Sequence, residues 1–505
     1  MSFARTHCLA LVGVRGHVVE VEVDLGGGGE NSVTLVGLPD AALREARDRI
    51  RAALVNCGER WPTGSVVVSL SPASLPKSGS LFDLAIAGAL LAAMGDVPLD
   101  RLTDTVLIGE LGLDGRVRPV RGVLPAVVAA AEQGFERFVV APGNLAEAGL
   151  VPDVDVVGVT DLADLCHWMR GGEPSCPAPE ITGPGPSEHG PDLADVLGQP
   201  VARRAVEIAA AGGHNLMMLG SPGTGKSLLA ERLPTVLPRL GPVESLEATA
   251  IHSVAGTLPP DAPLITLPPF AAPHHTATRA SIIGGGSGHA APGWVSKAHR
   301  GVLFVDEAPQ FGRGVLDSLR EPLERGEVVL ARAASTVTFP ARFQFVMAAN
   351  PCPCAKPGAL CTCPAGERRR YFSRISGPLL DRIDLKVELQ PVARAELLAD
   401  RSFAEPSEVV ADRVRAARAR AAERLAGTPW RTNAAVPGTR LRREFPVRPE
   451  ALRVLGRALD LGQISARGVD RALRVAWTLA DLAERDRPGE EETAYAFALW
   501  SGRAC

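Results

Sequence analysis

Residues Gly220–Ser227 read GSPGTGKS, and this octet decides the fold. An apolar run, Asn215 to Leu219, precedes it, and a helical pattern, Ser227 to Leu233, follows. Strand, glycine-rich loop and helix in that order are the setting of a phosphate-binding loop of the pattern G-x-x-x-x-G-K-[ST]. Its glycines let backbone N–H groups curl around phosphate, and the helix N-terminus adds its positive dipole end. Gly220, Ser221, Pro222, Gly223, Thr224 and Gly225 are therefore the expected cradle, with Lys226 reaching the β and γ phosphates of ATP and Ser227 holding Mg²⁺. The competing reading is a chance glycine loop ahead of a helix.

A second element supports the first. Gly301–Glu307 reads GVLFVDE, an apolar strand ending in two carboxylates, and Asp306 stands 80 residues after Lys226. Asp306 is expected beside Mg²⁺, and Glu307 is expected to orient and deprotonate the attacking water. Positioning and charge stabilisation supply most of phosphoryl-transfer catalysis. A third strand, Phe343 to Ala349, ends at Asn350, which is expected to bond the same water or the γ phosphate. Taken alone, paired acids at a strand end are common on surfaces and an Asn after a strand is an ordinary turn residue.

The chain has 505 residues, about three domains at ~150 residues each. Lys+Arg 54 against Asp+Glu 57 leaves a net charge of −3, so any polyanion partner has to be met by local patches. With 46% hydrophobic and 22% charged residues the composition is that of a folded globular protein. Only five of the 54 basic residues are Lys, which makes Lys226 at its motif position more telling. The longest apolar run, Leu84 to Met94, has 11 residues, short of the ~20 that span a bilayer, so no membrane association is expected. The short apolar stretch Cys8–Val14 has no cleavage pattern after it, and the nine cysteines are sparse apart from four between 352 and 363; a reducing cytoplasm is expected.

Residues 1–170 read as mixed α/β, with strands at Val18–Val23, Val66–Leu70, Val106–Ile108 and Phe138–Val140 and helices at Ala41–Asn56 and Pro125–Gln133. Residues 171–191 form a Pro/Gly-rich linker, 192–392 alternate strands and helices again, and 393–505 are helical in pattern and rich in Arg and Ala.

The residues at this point resemble an AAA+ ATPase, and specifically the ComM/YifB family of magnesium-chelatase-like ATPases. The resemblance is carried by Gly198–Asn215 (GQPVARRAVEIAAAGGHN), APHHT at Ala272–Thr276, the glycine-rich Ile282–Gly293, NPCPC at Asn350–Cys354 and SGPLLDRIDL at Ser376–Leu385. It implies a P-loop ATPase core of class α/β with a helical C-terminal lid, preceded by a Lon-protease-like α+β domain. It also implies an arginine finger at Arg382, with Arg374 the alternative, reaching the γ phosphate held by a neighbouring subunit, and hence a ring, typically a hexamer. A sensor arginine maps onto Arg467 in SARGVD, with Arg471 and Arg474 on the same helical face, where a solvated Arg stripe is the competing reading. The 68 residues from Glu231 to Ala298 resemble an insertion that projects a loop into the pore, with Ser281–Gly293 as its tip. A second insertion, Glu327–Phe339, reads as a β-hairpin in which Arg332 is placed to touch a DNA phosphate.

Leu75–Asp83 (LPKSGSLFD) and Gly109–Gly122 (GELGLDGRVRPVRG) look like the Lon-protease fold, yet Leu81 falls where that fold has its nucleophilic Ser and Leu124 where it has its Lys. Without a base beside a hydroxyl there is no activated nucleophile, so the domain is expected to be inactive unless Ser80 and Lys77 form a rearranged dyad. Cys352, Cys354, Cys361 and Cys363 form C-x-C-x₆-C-x-C, four thiolates able to saturate a structural Zn²⁺; a loop of free cysteines is the alternative. The family likeness implies an ATP-dependent DNA motor driving branch migration of recombination intermediates during DNA uptake, acting on branched or single-stranded DNA. Two other readings stand beside it: a chelatase motor inserting Mg²⁺ into a porphyrin, and an ATP-driven protease.

Overall fold

A computed structural model of the protein describes residues 3–26, 32–37, 40, 43, 45–77, 79–176, 190–259, 263–286, 290–331, 336–356, 360–392 and 404–503. In residues 3–176 the alternating apolar runs form a seven-stranded sheet. β1 (Phe3–Val12) and β2 (Arg15–Gly26) pair antiparallel, with Phe3 opposite Asp24. The full order is β3-β4-β2-β1-β5-β6-β7, with β3 (Ser32–Val36), β4 (Ser65–Ser71), β5 (Thr105–Ile108), β6 (Arg137–Val140) and β7 (Asp155–Gly158). Helices α1 (Ala46–Asn56), α2 (Asp83–Met94) and α3 (Val123–Ala131) cover it. The apolar run expected to be a buried helix is α2: its sequence DLAIAGALLAAM has no polar face, so 11 of its 12 residues are buried. Gly95 ends it at φ 77°, a left-handed conformation that a Cβ would disfavour.

The next region is a five-stranded, wholly parallel sheet flanked by helices. Its elements are α4 (Pro200–Gly212), β8 (Leu216–Gly220), α5 (Lys226–Val236), α6 (Pro242–Ala255), β9 (Phe270–Ala271), β10 (Val302–Val305), β11 (Gln344–Ala349) and β12 (Leu385–Leu389). The strand order is β9-β10-β11-β8-β12. Every residue of β10 and β11 is buried, which is why VLFV and QFVMAA read as continuous apolar runs without alternation. Between these strands lie the two expected insertions. One carries the short helix Arg279–Ile283 and a ribbon pairing Gly284–Gly285 with Ala291–Pro292; 287–289 of its expected tip lie outside the described residues. The other is the antiparallel hairpin Glu327–Ala331 with Thr336–Pro340, and the expected DNA contact at Arg332 lies outside the described residues.

The C-terminal helices α7 (Ser407–Arg424), α8 (Ala466–Leu482) and α9 (Glu490–Ser501) share one apolar core with α4 and a sheet face; Ile208, Leu216, Val387, Val414, Trp477 and Leu499 belong to it. The first domain rests instead on the insertions. Leu246 and Ala250 of α6 pack into the cluster of Val123 and Val127, Ser253 Oγ donates to Glu147, and the β1–β2 turn at Gly13 lies against Val337. Most of the linker expected at 171–191 falls outside the described residues.

One buried charge pins the C-terminal helices together. Arg424 donates to both carboxylate oxygens of Asp481, at 2.5 and 2.7 Å, and Asn433 Nδ2 donates to the same group at 2.8 Å. Asp481 is 1% exposed, so removing the guanidinium strands a buried carboxylate. Arg424→Ala is expected to destabilise the C-terminal helices by ~3 kcal/mol, read as a lowered unfolding transition in calorimetry.

Candidate functional site

The parallel register brings three distant segments to one sheet end. Leu219 lies opposite Ala349, so Gly220 and Asn350 emerge side by side, while Val305 opposite Met347 delivers Asp306 next to them. In the Gly220–Ser227 loop, Gly223 and Gly225 have φ of 77° and 92°. An added Cβ would meet nothing within 4 Å at either position, so glycine is required there by backbone conformation, not by space.

Lys226 is the hub. Its Nζ donates to Gly220 O at 2.7 Å, Ser221 O at 2.9 Å and Asn350 Oδ1 at 3.2 Å. Burial pushes its pKa below the ordinary lysine value, while Asp306 and Glu307 pull in the opposite direction. Ser227 Oγ donates to Asp306 Oδ2 at 2.7 Å, and the other Asp306 oxygen accepts from the Glu307 N–H at 2.8 Å. The Ser227 and Asp306 oxygens thus stand together beside the loop, a hard-oxygen donor set of the kind Mg²⁺ takes alongside phosphate and water. Glu307 turns out of the strand at φ 49° with its carboxylate part-exposed.

Two residues near this cluster carried no role in the sequence reading. His275, within APHHT, has its Nδ1 3.8 Å from Glu307 Oε2, and the His274 ring lies against it, centroids 4.1 Å apart and tilted by 37°. Gln199, at φ 55°, donates to Thr224 O at 3.2 Å and also to Gln390 O, tying the loop to the segment after β12. Each lies in a segment already quoted for the family resemblance, and no spacing rule marks either one.

The arginines sit elsewhere. Arg382 precedes β12, its carbonyl accepts from Asn215 Nδ2 at 2.8 Å, and its guanidinium is held by Glu324 and Pro378 O. It is therefore at the starting end of the strands, ~16 Å from its own Gly220–Ser227 loop, the length of a five-residue strand. Arg467 at the start of α8 lines the same side. Both border a cleft of about 980 Å³ lined by ten arginines and five carboxylates. Arg471 and Arg474 are not a solvated stripe: Arg471 bonds Asp384 at 2.5 Å and Arg474 donates to Val436 O at 2.7 Å. Burial pushes Asp384 up, but Arg471, His214 and the Asn215 N–H outweigh it and hold its carboxyl well below the usual range. Arg374, by contrast, is near the acidic pair, donating to Pro309 O at 3.1 Å.

Residues 192–397 match the family described as magnesium chelatase, subunit ChlI; 20–144 match subunit ChlI of Mg-chelatase, and 404–499 match its ChlI C-terminal region. An uncharacterised protein of Mycobacterium tuberculosis is 52% identical over 500 residues, 99% of each chain. YifB of Escherichia coli is 38% identical over 96% of this chain and 94% of its own. The competence protein ComM of Haemophilus influenzae is 38% identical over 95% of this chain and 94% of its own. The chain belongs to the ComM/YifB family of magnesium-chelatase-like proteins. This ComM/YifB protein has the mixed α/β fold with a parallel sheet expected for that family, and among the described residues no helix is long and apolar enough to cross a membrane.

In this family member Lys77 and Ser80, the pair expected to form any rearranged dyad, do not bond to each other. Lys77 Nζ donates to Pro72 O, whereas Ser80 Oγ donates to Glu110. Ammonium and hydroxyl thus have separate partners. Purified protein is expected to leave casein intact with or without ATP, and Ser80→Ala to change nothing in that assay.

Proposed function

We propose that the protein is an ATP-dependent hexameric DNA motor, a branch-migration helicase acting on recombination intermediates. The observation that carries this is the convergence of Lys226, Ser227, Asp306, Glu307 and Asn350 at one sheet end, while Arg382 and Arg467 border an arginine-rich cleft at the other. In this reading the loop N–H groups and Lys226 Nζ hold the β and γ phosphates, and Ser227 and Asp306 hold Mg²⁺. The ion neutralises charge on the phosphate oxygens when bound. Glu307 orients the attacking water and takes its proton, and Asn350 fixes the water or γ phosphate opposite Lys226. Arg382 and Arg467, remote from their own loop, are offered to the loop of the next subunit in a closed ring. Zn²⁺ at the four cysteines is the second ion of this reading, structural and set apart from the phosphates.

Similarity to a competence protein along nearly the whole chain favours DNA as the polymer worked upon. The two insertions that carry the first domain are the elements suited to face a pore. Binding through arginines along such a pore suits a chain with a net charge of −3, because phosphate contacts need a local excess only.

Lys226→Ala and Glu307→Gln are each expected to cut ATP hydrolysis by at least ~100-fold, in line with loss of a charge-stabilising group. On three-strand and four-way DNA junctions the unmodified protein should unwind and Lys226→Ala should not. Equal unwinding by both, or hydrolysis with no unwinding, sinks the reading; hydrolysis indifferent to every DNA favours the chelatase motor instead. Mixing inactive Lys226→Ala with inactive Arg382→Ala should restore part of the hydrolysis, since an intact loop then meets an intact arginine across a subunit boundary. No recovery on mixing refutes the placement of Arg382 in the neighbour's site.

A further inference from the structure

The four cysteines that the sequence spaces as C-x-C-x₆-C-x-C converge in the fold. Cys352 Sγ lies 3.2 Å from Cys354 Sγ and 3.3 Å from Cys361 Sγ, and Cys354 lies 3.7 Å from Cys361. All four sulfurs fall within 4.8 Å of one another, Cys352 buried and the others half-buried. A tetrahedron with Zn–S bonds of ~2.3 Å has S···S edges of ~3.8 Å, close to these separations. A disulfide needs ~2.05 Å, and the cysteines are free. With four thiol ligands and no carboxylate, the set selects a soft ion that accepts closed tetrahedral coordination.

The position of this cluster relative to the nucleotide residues is the second observation. Cys352 follows Asn350 by two residues, and the Asn350 side chain accepts from Lys226 at 3.2 Å. On the far side of the loop, Pro364 leads into the helix Ala365–Phe372, whose buried Tyr371 has its hydroxyl near the Asn350 backbone, which opposes the upward push of burial on its pKa. The loop therefore leaves from Asn350 and returns to it. The one large apolar side chain between Pro351 and Pro364 is Leu360, 65% exposed, so burial contributes little to that closure, whereas a metal would hold it.

We infer that the four thiolates bind one Zn²⁺ per chain and that this knot fixes Asn350 against Lys226, making the cysteines positioning residues for ATP turnover; the second half rests on the ATPase reading above. The knot stands off the phosphates, so its loss should affect turnover more than nucleotide affinity.

Protein purified from zinc-supplemented medium should carry about one zinc per chain by elemental analysis, and Cys361→Ser should carry little. Cys361→His keeps a zinc ligand and should retain the metal, which separates loss of zinc from loss of the native fold. Cys361→Ser should lower kcat by ~10-fold or more with KM for ATP changed by less than ~3-fold, and Cys361→His should recover most of it. Iron in place of zinc, or no metal in the unmodified protein, overturns the site. Zinc lost with kcat unchanged, or with KM rising as much as kcat falls, overturns the positioning role. Zinc bound by a protein that hydrolyses no ATP leaves the site standing and overturns the ATPase reading.

Discussion

The parallel ladder of β10, β11 and β8 is the constraint on which the rest depends. Residues 124 apart in sequence meet at Lys226 and Asn350, and residues 79 apart meet at Ser227 and Asp306. They do so because Leu219 pairs with Ala349 and Val305 with Met347. Buried apolar side chains on both faces hold that register. A slip by one residue would turn each strand's side chains to the opposite face and move each strand end by ~3.3 Å, more than the tolerance of a hydrogen bond. Side chains at the strand ends thereby gain a precision that loops of this length do not have by themselves.

The two ends of the sheet have opposite characters for electrostatic reasons. Where the strands finish, backbone N–H groups, one buried ammonium and two carboxylates form a compact polar cluster. Where they begin, ten arginines face five carboxylates around one cleft. Asp384 organises that side: buried, it is kept ionised by Arg471, His214 and the Asn215 N–H, and it anchors α8 to the start of β12. The C-terminal helices thus share a core with one face of the sheet, and α8 begins at the end of the sheet opposite the Gly220–Ser227 loop. The first domain follows a different logic, touching the sheet's insertions through Glu147 and Ser253 and through Leu246 and Ala250 of α6.

Much of the site was legible because the chemistry demands fixed residue types at fixed spacing. GSPGTGKS and the strand end GVLFVDE need no partner to be recognised; the observed strand Leu216–Gly220 is shifted by one residue from the expected Asn215–Leu219, and Gln344–Ala349 starts one residue after the expected Phe343. His275 and Gln199 were not legible as contacts, since each meets its partner, Glu307 or Thr224, across tens of residues with no periodic signal. Arg467, Arg471 and Arg474 share a helical face by spacing, yet only the fold separates an exposed Arg467 from Arg471 and Arg474, which are tied to Asp384 and Val436. Lys77 and Ser80 are close in sequence, and only the loop's path sends one to Pro72 and the other to Glu110.

The sequence by itself determined the fold class, the Gly220–Ser227 loop, the acidic pair and the presence of four closely spaced cysteines. These are local: loop conformation, strand burial and residue chemistry are written within windows of about ten residues. Tertiary structure decided which groups share an environment: Lys226 with Asn350, Arg382 at the far end from its own loop, four sulfurs in one cluster, the first domain on the insertions. Such pairings are set by register and by packing of two-sided buried strands, and those depend on contacts between residues a hundred or more positions apart.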